Sequence, residues 1–164
     1  MLLQLKDVFI NEGSSQEVSY EMNMSDVDFD GLYPFVSPVK VISRVENRAD
    51  LVSLKAEVKF TFSHPCDRCL DDIVKEYDYK FEHILVVALD DDRNDDFIAV
   101  PEYEIDLDEL LKADILLELP RKYLCSENCK GICPKCGKNL NEGLCSCDTR
   151  HIDPRLEVLK GLID

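Results

Sequence analysis

Eight cysteines are the side chains of this 164-residue chain best suited to chemistry, and their spacing points to metal binding. Cys133-Pro134-Lys135-Cys136-Gly137 reads as a knuckle turn. Proline fixes one backbone angle, glycine accepts the strained conformation after the second sulfur, and the turn's N–H groups can face the thiolates. After the short turn Asn139-Leu140-Asn141-Glu142-Gly143 come Cys145 and Cys147, which completes four sulfurs for one tetrahedral zinc ion. Only Ser146 separates the second pair, a tighter chelate than usual, so one of Cys145 or Cys147 could yield its place to Cys129. The other four cysteines also pair at ligand spacing, as Cys66-x2-Cys69 and Cys125-x3-Cys129. They suggest a second site that joins an internal connection to the C-terminal segment; four reduced, metal-free thiols are the alternative. One zinc ion is therefore expected, and a second is compatible with the count.

Catalytic uses of these thiols fit less well. Cys129-x3-Cys133-x2-Cys136 matches a radical-SAM cluster spacing, but the chain has neither the length nor the βα repeats of the usual barrel. Pro65-Cys66-x2-Cys69 matches half of the zinc-deaminase signature, yet no His-x-Glu precedes it. A thioredoxin-type pair needs a βα setting that is absent here. A site of four thiolates is coordinatively closed, with no position for an activated water. The expected metal is structural. His64, just before Pro65 and Cys66, could substitute as a ligand. His83 reads as a hydrogen-bonded core residue. Asp114 lies near the middle of an apolar helix face, where it could pair with Arg68 of the Cys-x-Arg-Cys turn.

The elements that must position these groups are legible from periodicity. Val39 to Val45 alternates with the single breach of Ile42, and Val52, Leu54, Ala56, Val58, Phe60 and Phe62 alternate without one; Asn47 to Asp50 supply the turn of an antiparallel hairpin. A third strand over Ile73 to Val87 places Cys66 and Cys69 in a strand–strand connection. An earlier strand is expected around Val18 to Met22. Asp106 and Glu109 resemble a capping box opening a Leu-rich helix that Pro120 stops. Asp153 and Pro154 open a short terminal helix, Arg155 to Lys160, which Gly161 closes. The resulting fold class is α+β: an antiparallel, curled β-sheet with a packed helix and a C-terminal zinc ribbon. The expected domains are an acidic β domain with one helix over 1–124 and a cysteine-rich ribbon with terminal helix over 125–164.

The net charge of −15 is confined to residues 1–124, while 125–164 are neutral. Such a body repels phosphate at long range, which excludes diffuse nucleic-acid binding over the whole surface. Asp90, Asp91, Asp92, Asp95 and Asp96 read as an exposed loop. Lys130, Lys135 and Lys138, around the knuckle, are the candidate RNA contact. The longest apolar run, Ile84 to Leu89, is six residues, against about 18 for a bilayer span, and the first residues do not look like a secretion leader. Together with the free-thiol pattern this gives an expectation of a cytoplasmic protein with no membrane partner.

One ordered set of residues carries a family resemblance. It comprises the hairpin, Pro65-Cys66-Asp67-Arg68-Cys69-Leu70, Ile105-Asp106-Leu107, Leu116-Leu117-Glu118-Leu119-Pro120, the run Cys125-Ser126-Glu127-Asn128-Cys129-Lys130-Gly131-Ile132-Cys133-Pro134-Lys135-Cys136-Gly137-Lys138-Asn139-Leu140-Asn141, and Asp153-Pro154-Arg155-Leu156. In this order the chain resembles the YceD family, the large ribosomal RNA subunit accumulation proteins, over nearly its whole length. The resemblance implies a bacterial or plastid factor needed for accumulation of large-subunit (23S) rRNA, and it brings no catalytic residues to carry over. With the charge distribution, it suggests a basic ribosomal protein or ribosomal precursor particle as partner of the acidic body, and rRNA as partner of the ribbon. The alternatives are a cysteine-based redox or zinc sensor and an RNA-processing enzyme.

Overall fold

The structure, a computed structural model, describes residues 1–88 and 97–147. The acidic run 90–96 and the terminal helix expected over Arg155 to Lys160 lie outside the described residues. The element order is β1 (Leu2–Gln4), α1 (Lys6–Ile10), β2 (Ser15–Met22), β3 (Val39–Arg48), β4 (Leu51–Pro65), β5 (Asp72–Val86), β6 (Phe97–Ala99), β7 (Glu104–Asp106) and α2 (Leu107–Glu118). The chain forms two compact units. One is Met1–His64 with Val74–Arg121; the other is Pro65–Ile73 with the segment from Lys122 onward. Compared with the expected division at 124/125, the second unit also takes in the β4–β5 connection.

The first unit is built on a five-stranded sheet in the order β2-β3-β4-β5-β6. Alternation explains β3 and β4: Val41 faces Val58 and Val45 faces Leu54 across the pair, and all four side chains are fully buried. Residues of the opposite phase face solvent, apart from Glu46, which is buried beneath Arg44, Arg48 and Lys55 and paired with all three. Those on β4 and β5 form ion pairs, Lys55 with Glu82, Lys80 with Glu57 and Lys59 with Asp78. These pairs step in opposite directions along the two strands, as antiparallel neighbours require. In the buried phase, Phe60 stacks on Tyr77 with ring centroids 5.5 Å apart, and Phe35 and Phe62 meet edge to face at 5.2 Å. Aromatic contacts of this geometry add to the area they bury.

The sheet is mixed rather than wholly antiparallel. β6 joins β5 in parallel, Ile84 opposite Phe97 and Val86 opposite Ala99. Three residues are too few to display a period, so this strand left no alternation to read. For the same reason the sequence did not reveal the β1–β7 pair, in which Leu3 faces Ile105, or the single-turn helix α1, which buries Val8. These short pieces surround one core of Leu3, Leu5, Val8, Val45, Leu54, Leu85, Val100, Ile105 and Leu107.

Helix α2 starts where Asp106 accepts a hydrogen bond from the Asp108 N–H at 3.0 Å, a side-chain cap on the first turn. Leu107, Leu111 and Ile115 recur every four residues and are fully buried, and Pro120 follows the last turn. His83 on β5 and Asp114 on α2 meet at 2.8 Å, Nε2 to Oδ2, with both side chains mostly buried. No helix among the described residues is long and apolar enough to cross a membrane.

Candidate metal centres

Within the second unit the eight cysteines separate into two groups of four. In each, the sulfurs all lie within 4.8 Å of one another: Cys66, Cys69, Cys125 and Cys129 form tetrad one, and Cys133, Cys136, Cys145 and Cys147 form tetrad two. Cys129 thus belongs to tetrad one, and both Cys145 and Cys147 stay with the knuckle. In tetrad one, Cys69 and Cys125 are 3.5 Å apart and Cys66 and Cys129 are 3.8 Å apart, sulfur to sulfur. A tetrahedral ion bound to sulfur at about 2.3 Å spaces its ligands by ~3.8 Å, so the donor set fits such an ion. Two cysteine tetrads able to hold metal ions are therefore present. None of the eight cysteines is in a disulfide.

Local backbone bonds fix tetrad one. The β4–β5 connection closes on itself through Cys66 N–H to Asp71 O at 2.8 Å and Leu70 N–H to Cys66 O at 2.9 Å. It is then tied to the later segment. Asp67 N–H donates to Tyr123 O at 2.8 Å, and Tyr123 N–H returns to the Asp67 carboxylate at 2.8 Å. Arg68 donates to the Cys129 carbonyl at 2.9 Å, while Asp114 is engaged by His83; each member of the expected Arg68–Asp114 pair has a partner of its own. His64 is buried and stacked parallel to Phe62 in the first unit, and it is not among the tetrad residues.

Tetrad two rests on the knuckle turn. Gly137 N–H donates to Cys133 O and Cys133 N–H to Lys138 O, both at 2.9 Å, and Gly137 has φ of 72°. An antiparallel bridge between Ile132 and Asn139 closes the base of the turn. Cys133 is buried, Cys136 exposed, and Cys145 and Cys147 half-buried.

The thiols do not share one acidity. Burial acts to raise Cys66, but N–H groups of Cys125, Cys69 and Arg68 turned toward its sulfur prevail and lower it to about 6. The Asp71 N–H favours the Cys69 thiolate, yet burial and the nearby Cys66 and Asp71 hold that thiol well up. The Asn141 amide lowers Cys129. In tetrad two the Cys136 and Lys135 N–H groups bring Cys133 to about 6, and Cys136 beside it drives Cys147 up to about 12. Each tetrad thus contains a thiolate held by backbone dipoles and a thiol whose ionisation its neighbours oppose. A bound cation reverses that opposition and releases the remaining protons.

Lys130, Lys135 and Lys138 are exposed on the same unit, and the Lys138 ammonium donates to Leu144 O at 3.3 Å. Sequence reasoning did not single out Asp71, Asn139 and Asn141 around tetrad one. Asn141 Nδ2 donates to Cys129 Sγ at 3.3 Å, and Asn139 Nδ2 to the Asp71 carboxylate at 2.8 Å. The signal available was the pair of asparagines in the turn after the knuckle.

The family model described as Large ribosomal RNA subunit accumulation protein YceD matches residues 54–163, a stretch that contains all eight cysteines. The chain is 33% identical to the protein YlbN of Bacillus subtilis (strain 168) over 134 residues, 78% of this chain and 76% of that protein. It is 36% identical over 99 residues to the Large ribosomal RNA subunit accumulation protein YCED homolog 1, chloroplastic, of Zea mays, covering 57% of this chain and 33% of that one. The Arabidopsis thaliana protein of the same description is 38% identical over 50 residues, 30% of this chain and 16% of that one. No solved structure matches.

Proposed function

The chain belongs to the YceD family of large ribosomal RNA subunit accumulation proteins, and from that premise we propose that it supports accumulation of large-subunit rRNA as a non-enzymatic, cytoplasmic factor in ribosome biogenesis. The observation that carries this reading is the family match, which runs through β4, α2 and both tetrads. Each tetrad holds one zinc ion: Cys66, Cys69, Cys125 and Cys129 in tetrad one, and Cys133, Cys136, Cys145 and Cys147 in tetrad two. Zinc bound by four thiolates supplies a crosslink between distant chain segments and no activated water. That is why the reading is structural. The C-terminal part, with its knuckle, works as a zinc ribbon.

Charge supports a division of labour. The body, with 28 acidic against 13 basic residues over 1–124, suits a basic ribosomal protein or a ribosomal precursor particle. The electrically neutral C-terminal segment meets rRNA through Lys130, Lys135 and Lys138. In cells lacking the protein the ratio of large- to small-subunit rRNA falls, and the full chain restores it. An unchanged ratio would refute the proposal.

A second reading, a redox sensor, has one observation in its favour: Cys125 is exposed and its sulfur is 3.5 Å from that of Cys69. Mild peroxide would then release one zinc ion with formation of a disulfide. Retention of both ions under peroxide leaves the structural reading alone.

A further inference from the structure

The loop between Cys136 and Cys145 belongs covalently to tetrad two, yet its side chains serve tetrad one. Asn141 donates its amide N–H to Cys129 Sγ at 3.3 Å, and its Oδ1 accepts from the Lys130 N–H at 2.8 Å, so the amide is held at both ends. Asn139 Oδ1 accepts from Asn141 Nδ2 at 2.9 Å and from the Asn141 N–H at 3.0 Å. Its own Nδ2 donates to the Asp71 carboxylate at 2.8 Å. That carboxylate lies 3.3 Å from Cys69 Sγ. Two tetrad-one ligands, Cys129 directly and Cys69 through Asp71, are therefore contacted from the loop whose ends tetrad two would clamp. The main chain adds a third link: Leu140 N–H donates to Gly131 O at 2.8 Å and Ile132 N–H to Arg68 O at 3.0 Å.

From these contacts we propose that Asn139 and Asn141 are positioning residues that couple the two metal sites, so that filling tetrad two tightens metal binding at tetrad one, and the reverse. The proposal rests on the metal reading given above. Four thiolates around a divalent cation carry a net charge of −2, and Asp71 adds another negative charge beside Cys69. Amide N–H donors to Cys129 and to Asp71 offset that excess where it is greatest. They can do so only when the loop is folded. With tetrad two empty, the loop has to be ordered at the expense of binding at tetrad one; with it filled, that entropy has already been lost. Outer-shell partners of metal ligands contribute about 10–100-fold in affinity, and reciprocity follows from linkage.

The test uses the full chain, stripped with a chelator under reducing conditions and reloaded with Zn²⁺ against a chromophoric competitor, then with Co²⁺ for its sulfur-to-metal charge-transfer band. Wild type takes up two ions. Asn141→Ala weakens one of the two sites about 10-fold, and its charge-transfer band moves to lower energy because Cys129 has lost a hydrogen bond and donates charge more readily. Leu144→Ala, in the same loop and 83% exposed, leaves affinities and spectrum unchanged. In Cys133→Ser/Cys136→Ser, the ion remaining at tetrad one binds at least about 10-fold more weakly than in wild type. If that double variant unfolds the unit, Asn141→Ala decides alone through its affinity and its band energy. Two ions in wild type with affinity and spectrum unmoved by Asn141→Ala overturn the coupling and leave the metal reading intact. Fewer than two ions in wild type overturn both.

Discussion

Gly131 is held at φ of 73°, and a Cβ placed on it would meet Arg68 O at 2.9 Å. It lies between Cys129 of one tetrad and Cys133 of the other, where the chain presses against the β4–β5 connection. Gly131→Ala therefore combines a left-handed backbone, which disfavours any side chain by roughly 1–2 kcal/mol, with a clash against main chain that cannot rotate away. We expect Ile132 N–H to lose its bond to Arg68 O and tetrad one to weaken, measured as faster zinc release to a chelator with unit one's melting unchanged. Equal release rates would contradict the strain argument. Acidity offers a second check at this scale. Near neutral pH the raised thiols, Cys69 and Cys147, keep their protons until metal displaces them; below about pH 6 Cys66 and Cys133 are protonated as well. Affinity should thus fall with falling pH, and more steeply below about 6, because more protons compete per ion. A slope that does not steepen would mean that the N–H groups around Cys66 and Cys133 do not hold those two sulfurs ionised at neutral pH. The cysteine pairs were readable because ligand spacing is local. Their grouping followed from the knuckle and from the four cysteines left over, and the sulfurs cluster in those two sets; the asparagines that support them depend on contacts between distant segments, which no local pattern encodes.

Among the elements, the β3–β4 hairpin was the most legible, since ten and fifteen residues display the two-residue period many times over. Its turn is the weak point. Ala49 and Asp50 take φ of 52° and 62° between the paired residues Arg48 and Leu51, the backbone of a two-residue turn that favours Asn-Gly. Both are exposed, so replacing them disturbs no packing. Ala49→Asn with Asp50→Gly should stabilise the first unit by about 1–2 kcal/mol, seen as a higher midpoint in urea. A lower midpoint would show that the native pair makes compensating contacts. Asn47 presents the opposite case. It is buried, and it donates to Val8 O at 2.9 Å, joining β3 to the short α1. Truncation to Ala removes that bond and leaves the carbonyl only the longer contact from the Ser14 hydroxyl at 3.3 Å, at a cost of about 1 kcal/mol read as a lower urea midpoint. A three-residue strand or a one-turn helix exists only through such tertiary bonds, which is why β1, β6, β7 and α1 had no signature of their own.

At the scale of the whole molecule, charge separates what the body and the C-terminal segment can do. With residues 125–164 neutral and the rest carrying −15, RNA binding is expected to be weak at long range and to depend on a few lysines at short range. The three candidates are not equivalent. Lys130 and Lys135 are exposed, whereas Lys138 is exposed but donates to Leu144 O and must give up that bond to reach a phosphate. Lys130→Ala and Lys135→Ala should each flatten the salt dependence of rRNA affinity by close to one counterion, about 0.7–0.9 in the log–log slope, and Lys138→Ala by less. The measurement is fluorescence anisotropy with a large-subunit rRNA fragment across a salt series, on zinc-loaded full chain. Lys122→Ala, exposed and on the same unit, serves as the reference. If it flattens the slope as much as Lys130→Ala and Lys135→Ala together, the contact is a general attraction to positive charge and the knuckle has no special part in it. If only the knuckle lysines matter, the metal-held turn presents the RNA surface, and stripping the zinc should abolish binding to the same degree as removing both.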